Sequence, residues 1–184
     1  MAFVVVYDAN VLYPSTLRDV LIRVALSGLV QAKWTDEILD EAFRNLQANR
    51  PDLKPEQLLR TRTLMSGAVR DCMVTGYKGL IDAVDPSVDA ADRHVVAAAI
   101  RARAQIIVTF NLKHFPTDVL AAWDIEAKHP DDFLLDQFHL DAITVHQAIQ
   151  AVADSWRNPP GTADDILDSL ERSGLIQTAA LLRR

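Results

Sequence analysis

The run Phe3-Val4-Val5-Val6-Tyr7 closes on Asp8 and continues at once into Ala9-Asn10-Val11-Leu12. Three valines in succession, with no polar residue alternating between them, predict a strand covered on both faces, as in the middle of a parallel sheet. Parallel strands require crossover connections, so such a chain must alternate strands with helices, and the residues that follow each strand collect at one edge. That carboxyl edge is where open α/β sheets place their ligands. Asp8 is therefore either a chemistry-bearing acid or the residue that caps the turn into the next helix, a common role for Asp. The segment alone supports both.

Further along, Pro14 breaks the chain, and Leu17 to Leu26 has helical apolar spacing that stops at Gly28. Thr35 is a suitable N-cap for a helix whose first turn holds Asp36 and Glu37 and whose buried stripe is Ile38, Leu39, Ala42, Phe43 and Leu46. A third helix is predicted from Pro55 to about Met73, and Leu80 to Val84 reads as a short strand. Residues 91 to 103 form an unusually apolar helix, on which Asp92 is expected on the side of Val96 and Ala99, and His94 on the opposite, polar side. Gln105 to Thr109 and Ile125 to Ala127 complete the predicted strands. Beyond Pro130 the pattern is helical throughout, with a turn at Asn158-Pro159-Pro160-Gly161. The division expected is an α/β domain over residues 1–135 and a helical extension over 136–184.

Composition narrows the partners. The 184 residues are 49% hydrophobic, enough for a sizeable core. One cysteine, Cys72, excludes an internal disulfide and a thiolate zinc site. No apolar run approaches the roughly 20 residues that span a bilayer, so the expectation is a soluble, cytoplasmic protein with no membrane partner. The net charge of −6 argues at first against nucleic acid. Its distribution changes that: residues 1–128 carry 15 Lys and Arg against 16 Asp and Glu, while residues 129–184 carry 4 against 9. The zone from Arg44 to Arg70 is locally basic, and serves either as a solvated helix face or as a surface for phosphates.

Asp8 and Asp92 lie on elements whose ends meet at one sheet edge, and apolar neighbours would desolvate both. Two such carboxylates repel unless a cation lies between them. Oxygen donors without thiols select hard ions such as Mg²⁺ or Mn²⁺. Asp92 also has a plain alternative as an acid at a helix start, favoured by the dipole. Periodicity does not choose among Asp36, Glu37, Asp40 and Glu41 for a third acid, and Glu41 falls at the flank of the apolar stripe.

Taken in order, Val5-Val-Tyr-Asp8-Ala-Asn10-Val-Leu12, Trp34-Thr-Asp-Glu-Ile-Leu-Asp-Glu41-Ala-Phe-Arg-Asn-Leu46, Asp89-Ala-Ala-Asp92-Arg-His-Val-Val-Ala-Ala-Ala99 and Ile107-Val-Thr109-Phe-Asn111-Leu-Lys-His-Phe115 resemble the PIN-domain ribonucleases, especially the VapC-type toxins of bacterial toxin-antitoxin pairs. The resemblance covers about residues 3 to 135. It implies an α/β/α sandwich with a central parallel sheet, here followed by a C-terminal helical extension. It also implies a metal-dependent endoribonuclease in which Asp8, Glu41 and Asp92 hold Mg²⁺ or Mn²⁺ and activate water for attack on RNA. By the same match Asn10 and Thr109 support the site, an antitoxin protein is a partner, and a homodimer is expected.

One position departs from the pattern. Asn111 stands where many members have a fourth acid, which removes a negative charge and weakens attraction for the ion. Asn111 can still coordinate through its amide oxygen, and Asp89 is a further candidate ligand, although each also suits a turn. Lys113 is a candidate contact to the substrate backbone. The five histidines share no metal-ligand spacing and read as structural or exposed, and Trp34, Trp123 and Trp156 read as core. The competing function is a PIN-like RNA- or protein-binding module without cleavage activity.

Overall fold

A computed structural model describes residues 2–184. Four parallel strands, β1 (Phe3–Tyr7), β2 (Val30–Lys33), β3 (Ile106–Val108) and β4 (Glu126–Lys128), make one sheet in the order β2-β1-β3-β4. β1 is central, as its apolar run requires: Val5, Val6 and Tyr7 are fully buried. Its register pairs Val5 with both Ala32 and Ile106, and Tyr7 with Val108. Asp8 and Thr109 consequently stand side by side one step beyond the paired strands. The ladder carries on through them, since the Asp8 N–H donates to Val108 O at 3.1 Å and the Thr109 N–H to Lys128 O at 2.9 Å.

Between the strands run α1 (Ala9–Leu12), α2 (Ser15–Leu26), α3 (Asp36–Asn49), α4 (Pro55–Ala68), α5 (Arg93–Ala102) and α6 (Thr117–Ala121). The last strand leads into α7 (Pro130–Leu140), α8 (Ala142–Ser155), α9 (Ala163–Arg172) and α10 (Ile176–Leu182). The α/β architecture with a helical C-terminal layer is the one the sequence predicts. Among the described residues, no helix is long and apolar enough to cross a membrane.

Three elements differ from the sequence reading. Val30–Lys33 forms an edge strand that the pattern of Gln31 and Lys33 disguised. Leu80 to Val84 is not a strand: a 3-10 helix covers Lys78–Ala83, and its residues are exposed or half-buried apart from the flanking Val84. The third helix also stops early, at Ala68 rather than near Met73. The backbone beyond it becomes extended, and Met73 forms a parallel bridge to Trp34 through Trp34 N–H to Cys72 O and Val74 N–H to Trp34 O.

The C-terminal layer is welded to the sheet domain. α8 and α9 pack on α2, and Phe133 of α7 meets Tyr7 edge to face at 6.1 Å. Tyr7 in turn stacks with fully buried Trp34 at 6.4 Å. Asp131, itself buried, accepts the N–H groups of Gln177 and Thr178 and so satisfies the start of α10. Of the other tryptophans, Trp156 is half-buried, but Trp123 is 45% exposed and does not belong to the core as expected. Its segment is a turn after α6 with Asp124 at φ 56°.

Candidate active site

Asp8 sits in the gap between β1 and α1, only 3% exposed. Its Oδ1 accepts the Ala9 N–H at 2.7 Å, so the capping role is real. Its Oδ2 accepts from Thr109 Oγ1 at 2.8 Å and from Asn10 Nδ2 at 3.1 Å. Asn10 also donates to Thr109 Oγ1 and accepts the Phe110 N–H through its Oδ1, while the Asn111 N–H donates to Thr109 Oγ1. Asp8, Asn10 and Thr109 thus form one closed network across the tips of β1 and β3, with no side chain left to choose a second rotamer freely.

Capping does not account for all of the environment of Asp8. Burial pushes its carboxyl up from 3.8 to about 6; the Thr109 hydrogen bond opposes this, and the nearby Asp92 and Glu41 carboxylates add to it. The two charges that act on Asp8 are both acids. Such crowding disfavours the ionised form and is relieved by a cation.

The four acids of α3 differ in what each one touches. Thr35 caps the helix by accepting the Ile38 N–H at 3.0 Å, and the buried stripe packs inward as predicted. Asp36 and Asp40 are both engaged by Arg62 of α4, Asp36 at 2.9 Å. Glu37 accepts the Tyr77 hydroxyl at 2.8 Å. Glu41 alone of the four acts on Asp8.

His94 occupies the space behind these glutamates and corrects the sequence reading. It is buried at 7% exposure rather than projecting to the polar side, with Nδ1 3.9 Å from Glu37 and Nε2 3.9 Å from Glu41. Helical periodicity placed it opposite Asp92, but that side is covered too, with the Glu37 and Glu41 side chains of α3 reaching the ring. Asp92 itself is buried at the N-cap of α5, yet its side chain makes no capping hydrogen bond. Its Oδ2 instead meets Nδ1 of His114 at 2.8 Å.

His114 is the second residue missed by sequence reasoning, which looked for histidine pairs at ligand spacing along the chain. Its partners, Asp92 and Asp89, are far away in sequence. One donor atom from each of Asp89, Asp92 and His114 falls within 4.8 Å of the other two. Asp89 is exposed and accepts the Ala91 N–H, the turn role expected of it. Asn111 and Lys113 are both exposed on the loop after β3. The basic zone from Arg44 to Arg70 is partly spent on acids, with Arg62 on Asp36 and Asp40 and Arg50 on Asp52. The donors at the sheet edge are carboxylate oxygens with imidazole nearby and no thiol, which is the chemistry of a hard or borderline divalent cation.

Comparison with known proteins is consistent with this geometry. A family profile described as "VapC50 C-terminal domain" matches residues 130–184. A protein of Mycobacterium tuberculosis (strain ATCC 25618 / H37Rv) named "Putative ribonuclease VapC50" is 47% identical over 109 residues, which span 59% of this chain and 63% of that relative. The match thus covers less than two thirds of the relative's length. No solved structure gives a significant match. A profile described as "PIN domain" matches residues 4–113, well over half of the chain, and the chain belongs to the PIN-domain family.

Proposed function

We propose that the protein is a metal-dependent endoribonuclease that hydrolyses RNA phosphodiester bonds and serves as the toxin of a toxin-antitoxin pair. The single observation that carries the cleavage reading is the desolvated Asp8 carboxylate, fixed by three hydrogen bonds and repelled by Asp92 and Glu41. A purely structural acid gains nothing from two acidic neighbours. The similarity to a protein named as a ribonuclease supports the same reading.

In this proposal Asp8, Glu41 and Asp92 hold Mg²⁺ or Mn²⁺, with Asp89 and Asn111 as further oxygen donors. When bound, such an ion supplies positive charge for the phosphoryl oxygens and acidifies water. The chain's own residues do the rest. Thr109 and Asn10 lock the Asp8 carboxylate so that it need not reorganise when substrate arrives. Glu41, half-buried and open on one side to solvent, accepts the proton of the attacking water. Lys113, exposed beyond the β3 tip, meets the RNA backbone as a point charge.

Partners follow from the same reading: RNA as substrate, an antitoxin protein as inhibitor, and a second copy of the chain in a homodimer. Leu59 and Leu64 on α4 and Leu26 at the end of α2 are exposed apolar side chains suited to protein contacts. We assign the nuclease function to residues 1–135 and treat residues 136–184 as a helical extension acting in the cytoplasm with the rest of the chain. The test is RNA cleavage with added Mg²⁺ or Mn²⁺ and with a chelator. Cleavage that stops in the chelator and returns with the ion supports the proposal; an ion-free protein cutting at full rate contradicts it.

A further inference from the structure

We infer that His114 is a nitrogen ligand of the divalent cation held by Asp92, which gives the site a mixed oxygen and nitrogen donor set and a preference for Mn²⁺ over Mg²⁺. The inference rests on the cation-site reading above and adds to it one residue and an ion preference.

The geometry comes first. Nδ1 of His114 lies 2.8 Å from Oδ2 of Asp92. Two neighbouring ligands of an octahedral ion with bonds near 2.1 Å stand about 3 Å apart. The pair is therefore already at the separation that shared coordination requires. Asp89 offers a third donor atom within 4.8 Å of both.

The backbone holds the imidazole there. The His114 N–H closes a 3-10 turn on Asn111 O at 2.9 Å, and the next residue, Phe115, is buried at 2% exposure and anchors the loop. The Asp89 N–H donates to His114 O at 3.4 Å, which joins the two ligand-bearing loops directly. The imidazole is 32% exposed, so an ion can reach it.

The chemistry supplies the need. Asn111, the neutral residue at the loop's start, is exposed, and its N–H is engaged by Thr109. Asn111 brings no charge to the ion, and His114, three residues later on the same turn, offers a nitrogen donor beside the oxygens. Mn²⁺ is a hard ion but, as a transition metal, accepts an imidazole nitrogen beside carboxylates more readily than Mg²⁺, which keeps oxygen ligands and water. As a ligand through Nδ1 the ring is neutral and keeps its proton on Nε2.

The test is pulsed electron paramagnetic resonance on the full chain loaded with Mn²⁺ alone, prepared once at natural abundance and once with ¹⁵N-histidine. The expected result is electron spin-echo modulation from one directly bound histidine nitrogen. That signal changes isotope with the label and disappears in His114→Ala, while Mn²⁺ affinity falls about tenfold and Mg²⁺ affinity about twofold or less. Mn²⁺ bound without a histidine nitrogen signal, or a signal unchanged in His114→Ala, overturns the inference and leaves the carboxylate site standing, with His114 only orienting Asp92. A wild-type chain that binds no Mn²⁺ overturns both.

Discussion

Of the buried aspartates, Asp8 at the sheet edge and Asp131 in the C-terminal layer are the most deeply covered, at 3% and 5% exposure. Asp131 spends its carboxylate on the N–H groups of Gln177 and Thr178, and the Thr178 hydroxyl donates to its carbonyl. Both of its oxygens stabilise a helix start. The Asp8 carboxylate is equally well supplied with donors, but it also faces Asp92 and Glu41. Burial therefore does not distinguish a structural acid from a functional one. What distinguishes them is whether the neighbours complete the charge or add to it.

The largest difference between the two is expected in paired substitutions. Asp8→Asn should reduce RNA cleavage by about 10³-fold, the scale of losing a group that acts on the reacting atoms. Circular dichroism should show it folded. Asp131→Ala should keep the cleavage rate of its folded fraction while losing roughly 2–3 kcal/mol in urea unfolding, because two backbone donors are left without a partner. Equal effects on activity would erase the distinction.

The next comparison uses pH. Burial raises the Asp8 carboxyl from 3.8 to about 6, so its neutral form favours folding. That contribution is intact below pH 3.8 and is lost as pH rises to about 6. Asp8→Asn does not titrate there. In metal-free protein, the stability of the variant relative to wild type should therefore rise across that window, by up to roughly 3 kcal/mol. Cation binding needs the ionised carboxylate and should strengthen through the same window. A flat difference in urea unfolding between the two proteins would show that Asp8 is not desolvated as described.

Thr109→Val tests the support of Asp8 and should cost about 1–3 kcal/mol in stability, with a parallel loss of cleavage, because it removes one of the two donors to Asp8 Oδ2 and leaves the Asn111 N–H without its acceptor. Thr109→Ser should retain most of both. The smallest effect is expected at Arg62, whose contacts with Asp36 and Asp40 tie α4 to α3 at the surface. Arg62→Ala should cost no more than about 1 kcal/mol in thermal unfolding and leave ion binding unchanged.

Where the residue pattern had one physical reading, the fold was legible. The valine run had to be a central strand, Thr35 had to cap α3, and the apolar stripes beyond Pro130 had to be packed helices. Where a segment was short and mixed, tertiary context decided. β2 holds only Val30, Gln31, Ala32 and Lys33, and its strand character comes from pairing with β1 rather than from propensity. Residues 80 to 84 looked like a strand because they are apolar, but at the surface beside α5 they coil into a 3-10 helix.

The site divides in the same way. Asp8 and Asp92 were marked by their position on elements, and Glu41 only by the order of motifs. Its separation from Asp36, Glu37 and Asp40 needed Arg62 and Tyr77, which come from α4 and from the turn after it. His94 and His114 were invisible because their partners are on other elements: glutamates of α3 for one, the start of α5 for the other. No spacing rule along a single chain segment can find such pairs.

The central claim is that acids from β1, α3 and α5 share one cation, and a crystal soaked in Mn²⁺ tests it most directly by anomalous diffraction. The account predicts a single strong manganese peak bounded by carboxylate oxygens of Asp8, Glu41 and Asp92. A fully soaked crystal with no peak there, or with manganese bound only at surface acids elsewhere, would contradict it.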